Sequence, residues 1–327
     1  PLSTIQPLAF RGRNLGKPLS PALLACLVQA EGRHRGWQLL SRRHDRAAES
    51  LVRERYWRQA VALNQLCREH HVQMITAEAD EFPELLLQIP DPPALLFFRG
   101  NLQQLLRPAI AVVGARRCTH LGREVAMALA ADISAKGWVV ISGLARGVDA
   151  AAHRAALPCG LTTAVLGGGL ARLYPAQHRN LAKEIVQRGG LILSEYPPFV
   201  SPRPYHFPER NRLISGLSRA VVVVEAGERS GSLITARLAL EQGRDVMAVP
   251  GPVSSLVSRG CHRLIRQGAA IIETASDVFE ALGVDDFDAP DSIRGQDDAV
   301  PWHLSEPSDP GLAKLLAALG SALTTLD

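Results

Sequence analysis

Cysteine is sparse in this 327-residue chain: Cys26, Cys67, Cys118, Cys159 and Cys261 stand far apart, and none forms a Cys-x-x-Cys pair. An odd, scattered set excludes a disulfide framework and a zinc knuckle. It fits a reducing compartment, so a cytoplasmic location is expected. No apolar run approaches the roughly 18 residues of a membrane-spanning helix, so no membrane insertion is expected. Residues 1–10 lack the basic, apolar and small-residue order of a secretory signal, and no such signal is expected. Lysine is nearly missing: Lys17, Lys136, Lys183 and Lys314 are the whole set, so the positive charge is almost all arginine. Arginine suits bidentate phosphate contact, although arginine-favouring codon usage would produce the same bias without function.

Familiar catalytic and nucleotide signatures are absent too. A dinucleotide site needs G-x-G-x-x-G after the first strand, and here Gly114 is followed by Arg116 where the second glycine belongs. An arginine side chain there occupies the pyrophosphate position. No G-x-x-x-x-G-K-[ST], G-x-S-x-G or H-E-x-x-H occurs. His70, His71, His153 and His206 have no metal-ligand spacing, and His153 reads as a structural histidine. No catalytic residue, metal or cofactor is therefore expected.

What is present falls into regions. Residues 1–80 read as a helical N-terminal domain of SAM-like character, with apolar residues at helical spacing over 48–70 (Leu51, Tyr56, Ala60, Leu63, Leu66) and many arginines over 33–58. That basic run reads first as a solvated helix face. Residues 81–283 alternate apolar strands with helical stretches. Strands are expected over 110–113, 138–141, 163–166, 191–193, 220–224, 246–249 and 270–272, and helices over 122–136, 150–157, 180–188, 232–242 and 276–282. Continuous apolar strands separated by helices predict an α/β fold, a Rossmann-like doubly wound parallel sheet covered on both faces. Residues 284–310 carry Asp285, Asp286, Asp288, Asp291, Asp297 and Asp298 with Pro290 and Pro301, and read as an acidic linker. Over 311–327, Leu312, Leu315, Leu316 and Leu319 line one amphipathic helix.

Ligands of open α/β sheets bind beyond the carboxyl ends of the strands. The segments expected there are rich in glycine, hydroxyls and arginine: 114–119, 142–149, Gly167-Gly168-Gly169, 194–196, 225–232 and Pro250-Gly251. All are expected to converge on one rim. Glycines let backbone amides approach an anion, and Arg116 and Arg146 add charge. Tight turns, with the arginines paired to Asp149, Glu195 or Glu225, would explain any one of these loops; the several together favour an anionic ligand. The net charge of +4 and pI near 9.0 permit such a partner. Arg210 and Arg212, at i and i+2 on a helix, point about 200° apart. One is expected at the rim and the other against a carboxylate at the sheet edge, and spacing leaves open which. Tyr174, Tyr196, Phe199, Tyr205 and Phe207 lie in or beside these loops, and one of them is available to stack a base.

Taken in order, several segments resemble the DNA-processing protein A (DprA/Smf) family. They are Phe82-Pro83, 89–93 with 98–101, 112–116, 142–149 with His153, 194–197, 207–212, 225–226 with 230–236, Pro250-Gly251, and 264–269. The resemblance covers about 80–282. It implies a homodimeric, non-enzymatic single-stranded DNA-binding protein that protects incoming strands and helps load the RecA recombinase during natural transformation. It assigns Arg116, Arg146, Arg210 and Arg212 to a basic pocket, framed by Gly114, Ser142, Gly143, Gly147 and Ser232. It also makes 311–327 the truncated opening of a winged-helix-like domain. Ala115 and His262 depart from the family pattern, and the N-terminal region lacks the glycine-rich hairpin of many relatives. A nucleoside-monophosphate phosphoribohydrolase of the lysine-decarboxylase-like Rossmann group is the alternative. Its tandem-glycine loop and catalytic glutamate are missing.

Overall fold

A computed structural model describes residues 20–33, 36, 38 and 46–284. The acidic linker and the C-terminal helix expected from the sequence lie outside them, apart from Val284. Two helices lead: α1 (Pro21–Glu31) and α2 (Arg46–Glu69). Ser20 caps α1, its hydroxyl accepting from the Leu23 amide. Tyr56, Ala60, Leu63 and Leu66 of α2 are buried, as their helical spacing requires.

The rest alternates: β1 (Gln73–Thr76), α3 (Glu84–Leu87), β2 (Leu95–Gly100), β3 (Ala109–Val113), α4 (His120–Ala135), β4 (Val139–Ser142), α5 (Val148–Ala156), β5 (Thr162–Leu166), α6 (Arg179–Gln187), β6 (Leu191–Ser194), α7 (His206–Gly216), β7 (Ala220–Val223), α8 (Ser232–Glu241), β8 (Asp245–Ala248), α9 (Arg259–Arg266), β9 (Ala270–Ile271) and α10 (Ala275–Ala281). They form one sheet in the order β1-β2-β6-β5-β4-β3-β7-β8-β9. From β6 to β9 every pairing is parallel.

Alternation along a strand feeds two cores. Ile110 and Val112 of β3 join one apolar cluster with Leu129 and Ile133 of α4, while Ala111 and Val113 join the other with α1, α6 and α7 residues. Both faces are covered, so the Rossmann-like α/β expectation holds.

The sheet is wider than expected. β2 pairs antiparallel with β6, and β1 antiparallel with β2. The expected boundary at residue 80 separates β1 from the sheet it belongs to. At four residues with one buried position, β1 carries too little pattern to announce a strand. Among the described residues no helix is long and apolar enough to cross a membrane.

Candidate nucleic-acid interface

The strand order reverses at β3, whose neighbours are β4 and β7. The crevice at such a switch point is where an α/β sheet ordinarily seats its ligand. Here a carboxylate of the chain itself fills it. Thr119, the N-cap of α4, donates from its amide to Glu225 Oε2 (2.8 Å) and from its hydroxyl to Oε1 (2.6 Å). Glu225 thus sits where the dipole of α4 favours an anion.

The loop after β4 is also closed on itself. The Gly143 and Ala145 amides donate to Asp149 Oδ2 at 3.1 and 3.3 Å. Ser142 is fully buried and donates to the Val112 carbonyl at 2.7 Å. Gly147 has φ +77, and a β-carbon there would collide with the Ala115 carbonyl. It lets the β4 loop lie against the β3 loop. Leu144 takes a left-handed φ of +55, and its carbonyl accepts from His178 Nδ1 at 2.8 Å. Below, His153 donates from Nδ1 to Thr162 (2.7 Å), whose hydroxyl donates to the Val140 carbonyl. Burial drives the His153 pKa down to about 3. It is a neutral core histidine, as expected.

Helix α7 resolves the two arginines. Arg210 projects under the β4 loop, where a β-carbon on Gly143 would land on its guanidinium, and its Nη1 donates to the Val165 carbonyl. Burial lowers its pKa to about 10, against the pull of Asp149. Burial in turn raises Asp149, against the pull of Arg210. Arg212 points the other way. Its Nη2 donates to Glu195 at 2.7 and 2.8 Å, and its Nε to Asp91 at 3.0 Å. Those carboxylates raise its pKa against its burial. Arg212 is thus an internal brace, and the structure does not bring it to the pocket.

Between the loops after β3, β4 and β5 and the first turn of α7 lies a pocket of about 180 Å³. Arg116, Arg117, Gly143, Ala145, Arg146, Tyr174, Pro175, Phe207 and Arg210 line it. The Arg116 guanidinium lies 5.3 Å from the centre of the Phe207 ring, and the Tyr174 ring 5.5 Å from Phe207. Tyr174 is 47% exposed. Arg116, Arg117 and Arg146 are exposed, and no carboxylate among the described residues lies within ion-pair distance of them.

Of the nine residues expected at the site, Arg116, Arg146, Gly143 and Arg210 line the pocket, with Gly114 and Gly147 in the loops after β3 and β4 and Ser142 at the end of β4. Ser232 is buried at the first position of α8, bonded to Ser230 (2.8 Å) in the loop before it. The rim divides: the loops after β7 and β8 close on each other through the Ala226 amide and Val257 carbonyl, and Gly251 of the second loop is held by His262 of α9. Gly167-Gly168-Gly169 is buried under the loop after β6, with the Gly169 amide donating to the Val200 carbonyl at 2.8 Å. Arg117 was not singled out from the sequence, although its adjacency to Arg116 was the available signal. Of the five aromatics, Tyr174 and Phe207 reach the pocket, whereas Tyr196 is stacked on His206 at 4.1 Å.

Residues 73–283 match the family described as DNA recombination-mediator protein A. Protein Smf of Escherichia coli is 41% identical over 266 residues, covering 79% of this chain and 68% of that protein. The structure of DNA processing protein A from Streptococcus pneumoniae superposes with a TM-score of 0.65 at 38% identity, covering 80% of this chain and 92% of the other. That of DNA processing protein A from Helicobacter pylori, a study of its single-stranded DNA binding mode, gives 0.59 at 32% identity, covering 65% and 97%.

Proposed function

The chain belongs to the DNA recombination-mediator protein A (DprA/Smf) family, and we propose that it binds single-stranded DNA at the arginine pocket and acts as a recombination mediator. One observation carries this reading: three exposed guanidiniums, with no carboxylate partner among the described residues, line one pocket with a half-exposed tyrosine packed on a phenylalanine. Arg116, Arg117 and Arg146 take phosphates, the buried Arg210 makes the floor positive, and Tyr174 with Phe207 offers a surface to an unstacked base. Charge and stacking read no base edge, so little sequence preference follows. Bases held inside a duplex cannot reach the rings, so duplex binds more weakly.

The reading is of a binding protein, not an enzyme. Asp149 is taken up by two backbone amides, and His153 by Thr162. Neither is placed as a general base toward the pocket. The finer parts of the proposal are protection of incoming strands in natural transformation, delivery of the strand to RecA, action as a homodimer and a cytoplasmic setting. The proposed organisation is a helical N-terminal region, a Rossmann-like domain beginning with β1, an acidic linker over 284–310 and the opening of a winged-helix-like domain over 311–327.

Fluorescence anisotropy of a labelled oligo-dT strand, with unlabelled single-stranded and duplex competitors, tests the core of this reading. Binding that weakens with salt and yields readily to single strands but poorly to duplex is expected. Equal competition by duplex would overturn it. Acceleration of RecA filament growth on the same strand tests the mediator role, and its absence would remove that part alone.

A further inference from the structure

Helix α7 has two working faces. Phe207 and Arg210 face the pocket, while Glu209 and Arg212 face away from it, toward the loop after β6 and the N-terminal region. On that second face lies a charged cluster drawn from four parts of the chain. Arg33, just past α1, places Nη1 at 3.3 Å from Glu195 and 3.4 Å from Asp91, and Nη2 at 3.9 Å from Glu209. Arg212 grips the same Glu195 and Asp91 from the α7 side. Glu209 also accepts from the Tyr196 hydroxyl at 2.7 Å. The Tyr196 ring lies on His206, the residue that precedes Phe207 in the first turn of α7.

We propose that Arg33 is a positioning residue for the DNA pocket, the means by which the arginine-rich N-terminal region acts on DNA without touching it. The proposal rests on the pocket being the DNA site. Glu195 and Arg212 are each 8% exposed at the side chain, and Arg33 is 29% exposed. The Glu195–Arg212 centre of the cluster is poorly solvated, while Asp91 (34%) and Glu209 (39%) at its edge are part-exposed, so water offsets only part of a missing cation. One Arg33 guanidinium holds Glu195 and Glu209 on its two terminal nitrogens. Without it the two carboxylates face each other across the vacated space. Glu209 is on the same helical turn as Phe207 and Arg210, so relief by outward movement of Glu209 turns that pair relative to Arg116 and Arg146. The pocket then loses its alignment while keeping every group that contacts a phosphate.

This separates a positioning role from a direct one. Arg33→Ala is expected to weaken oligo-dT binding about fivefold, the scale of a coupling carried through packed and ion-paired groups, with the salt slope unchanged. Arg33→Lys restores part of the affinity, because one ammonium still lies between the carboxylates. Glu209→Gln in the Arg33→Ala background also restores part, because the repulsion is gone while an amide oxygen remains for Tyr196. Thermal melts of each variant identify any loss that comes from unfolding, and for an unfolded Arg33→Ala the decision passes to Arg33→Lys and to Arg33→Ala/Glu209→Gln. A salt slope smaller by about 0.7 in a folded Arg33→Ala would make Arg33 a phosphate contact and overturn the proposal. So would unchanged affinity in that variant, or failure of Glu209→Gln to relieve it. A wild-type chain that binds no single strand defeats the DNA reading itself, a result none of these variants can imitate.

Discussion

The two sides of the β3 strand end carry similar signals and do opposite things. On the β7 side, a helix N-terminus and glycine-bearing loops form a place for an anion, and Glu225 of the chain occupies it through Thr119. On the β4 side, the corresponding carboxylate, Asp149, is tied down by backbone amides below the surface. Arg116, Arg117 and Arg146 remain above it with no carboxylate partner among the described residues. On the proposed reading, a loop that suits an anion serves as a binding site only where the protein leaves its charge uncompensated. The pocket is accordingly displaced one strand from the switch point.

Four variants or conditions break or sharpen that comparison. The largest effect belongs to Arg210→Ala, which removes the pocket floor, the bond to the buried Val165 carbonyl and the positive charge that favours the Asp149 carboxylate. A loss of about 3 kcal/mol in stability is expected in urea unfolding, together with loss of oligo-dT binding. Wild-type binding by a folded variant would detach the pocket from Arg210. Next is acid. The His153 pKa is about 3 in the fold against an ordinary 6.5, so between those values the unfolded chain binds the extra proton. The stabilisation is complete above pH 6.5 and falls by about 1.4 kcal/mol per unit as the pH drops toward 3. Asp149, raised by burial, contributes with the opposite sign, so the measurement is the difference between wild type and His153→Asn. The acid limb of the variant should be flatter than that of wild type.

Tyr174→Ala should cost about 1 kcal/mol of single-strand affinity with no change in salt slope, because a stacking surface is lost and no charge. An altered slope would mean that the arginine wall moved with it. Smallest is Glu225→Gln, which weakens the capping of α4 by about 0.5 kcal/mol and should leave DNA affinity alone. Marked tightening of oligo-dT on this variant would show that the switch-point crevice is a latent phosphate site and that the two sides are alike after all.

Much of this was legible in the sequence. The seven expected strands lie within one residue of those observed, because buried parallel strands are continuous apolar runs such as Ala220–Val223. The rule that ligands gather at carboxyl ends pointed at the edge of the sheet where the arginine pocket lies. The opposed directions of Arg210 and Arg212 followed from helical geometry, but which one faced the pocket depended on Asp91 and Glu195, 121 and 17 residues away. The glycines were read as openings to a ligand, yet Gly143 and Gly147 first admit Arg210 and the Ala115 carbonyl. A glycine signals close approach and does not name the approaching group. Glu225 was weighed as a partner for an arginine, and the helix N-terminus it caps lies 106 residues earlier.

The division of the rim is tested most directly by two double variants that remove equal charge from its two sides. Arg116→Ala/Arg146→Ala strips the pocket; Arg229→Ala/Arg259→Ala strips the loop after β7 and the start of α9, where Arg259 lies 3.6 Å from Glu228. Oligo-dT affinity is measured against salt for both. The account predicts a slope smaller by about 1.4 for the pocket pair, about 0.7 for each lost phosphate contact, and no change for the other. Equal losses from both pairs would contradict it, because binding would then follow overall charge and not the pocket.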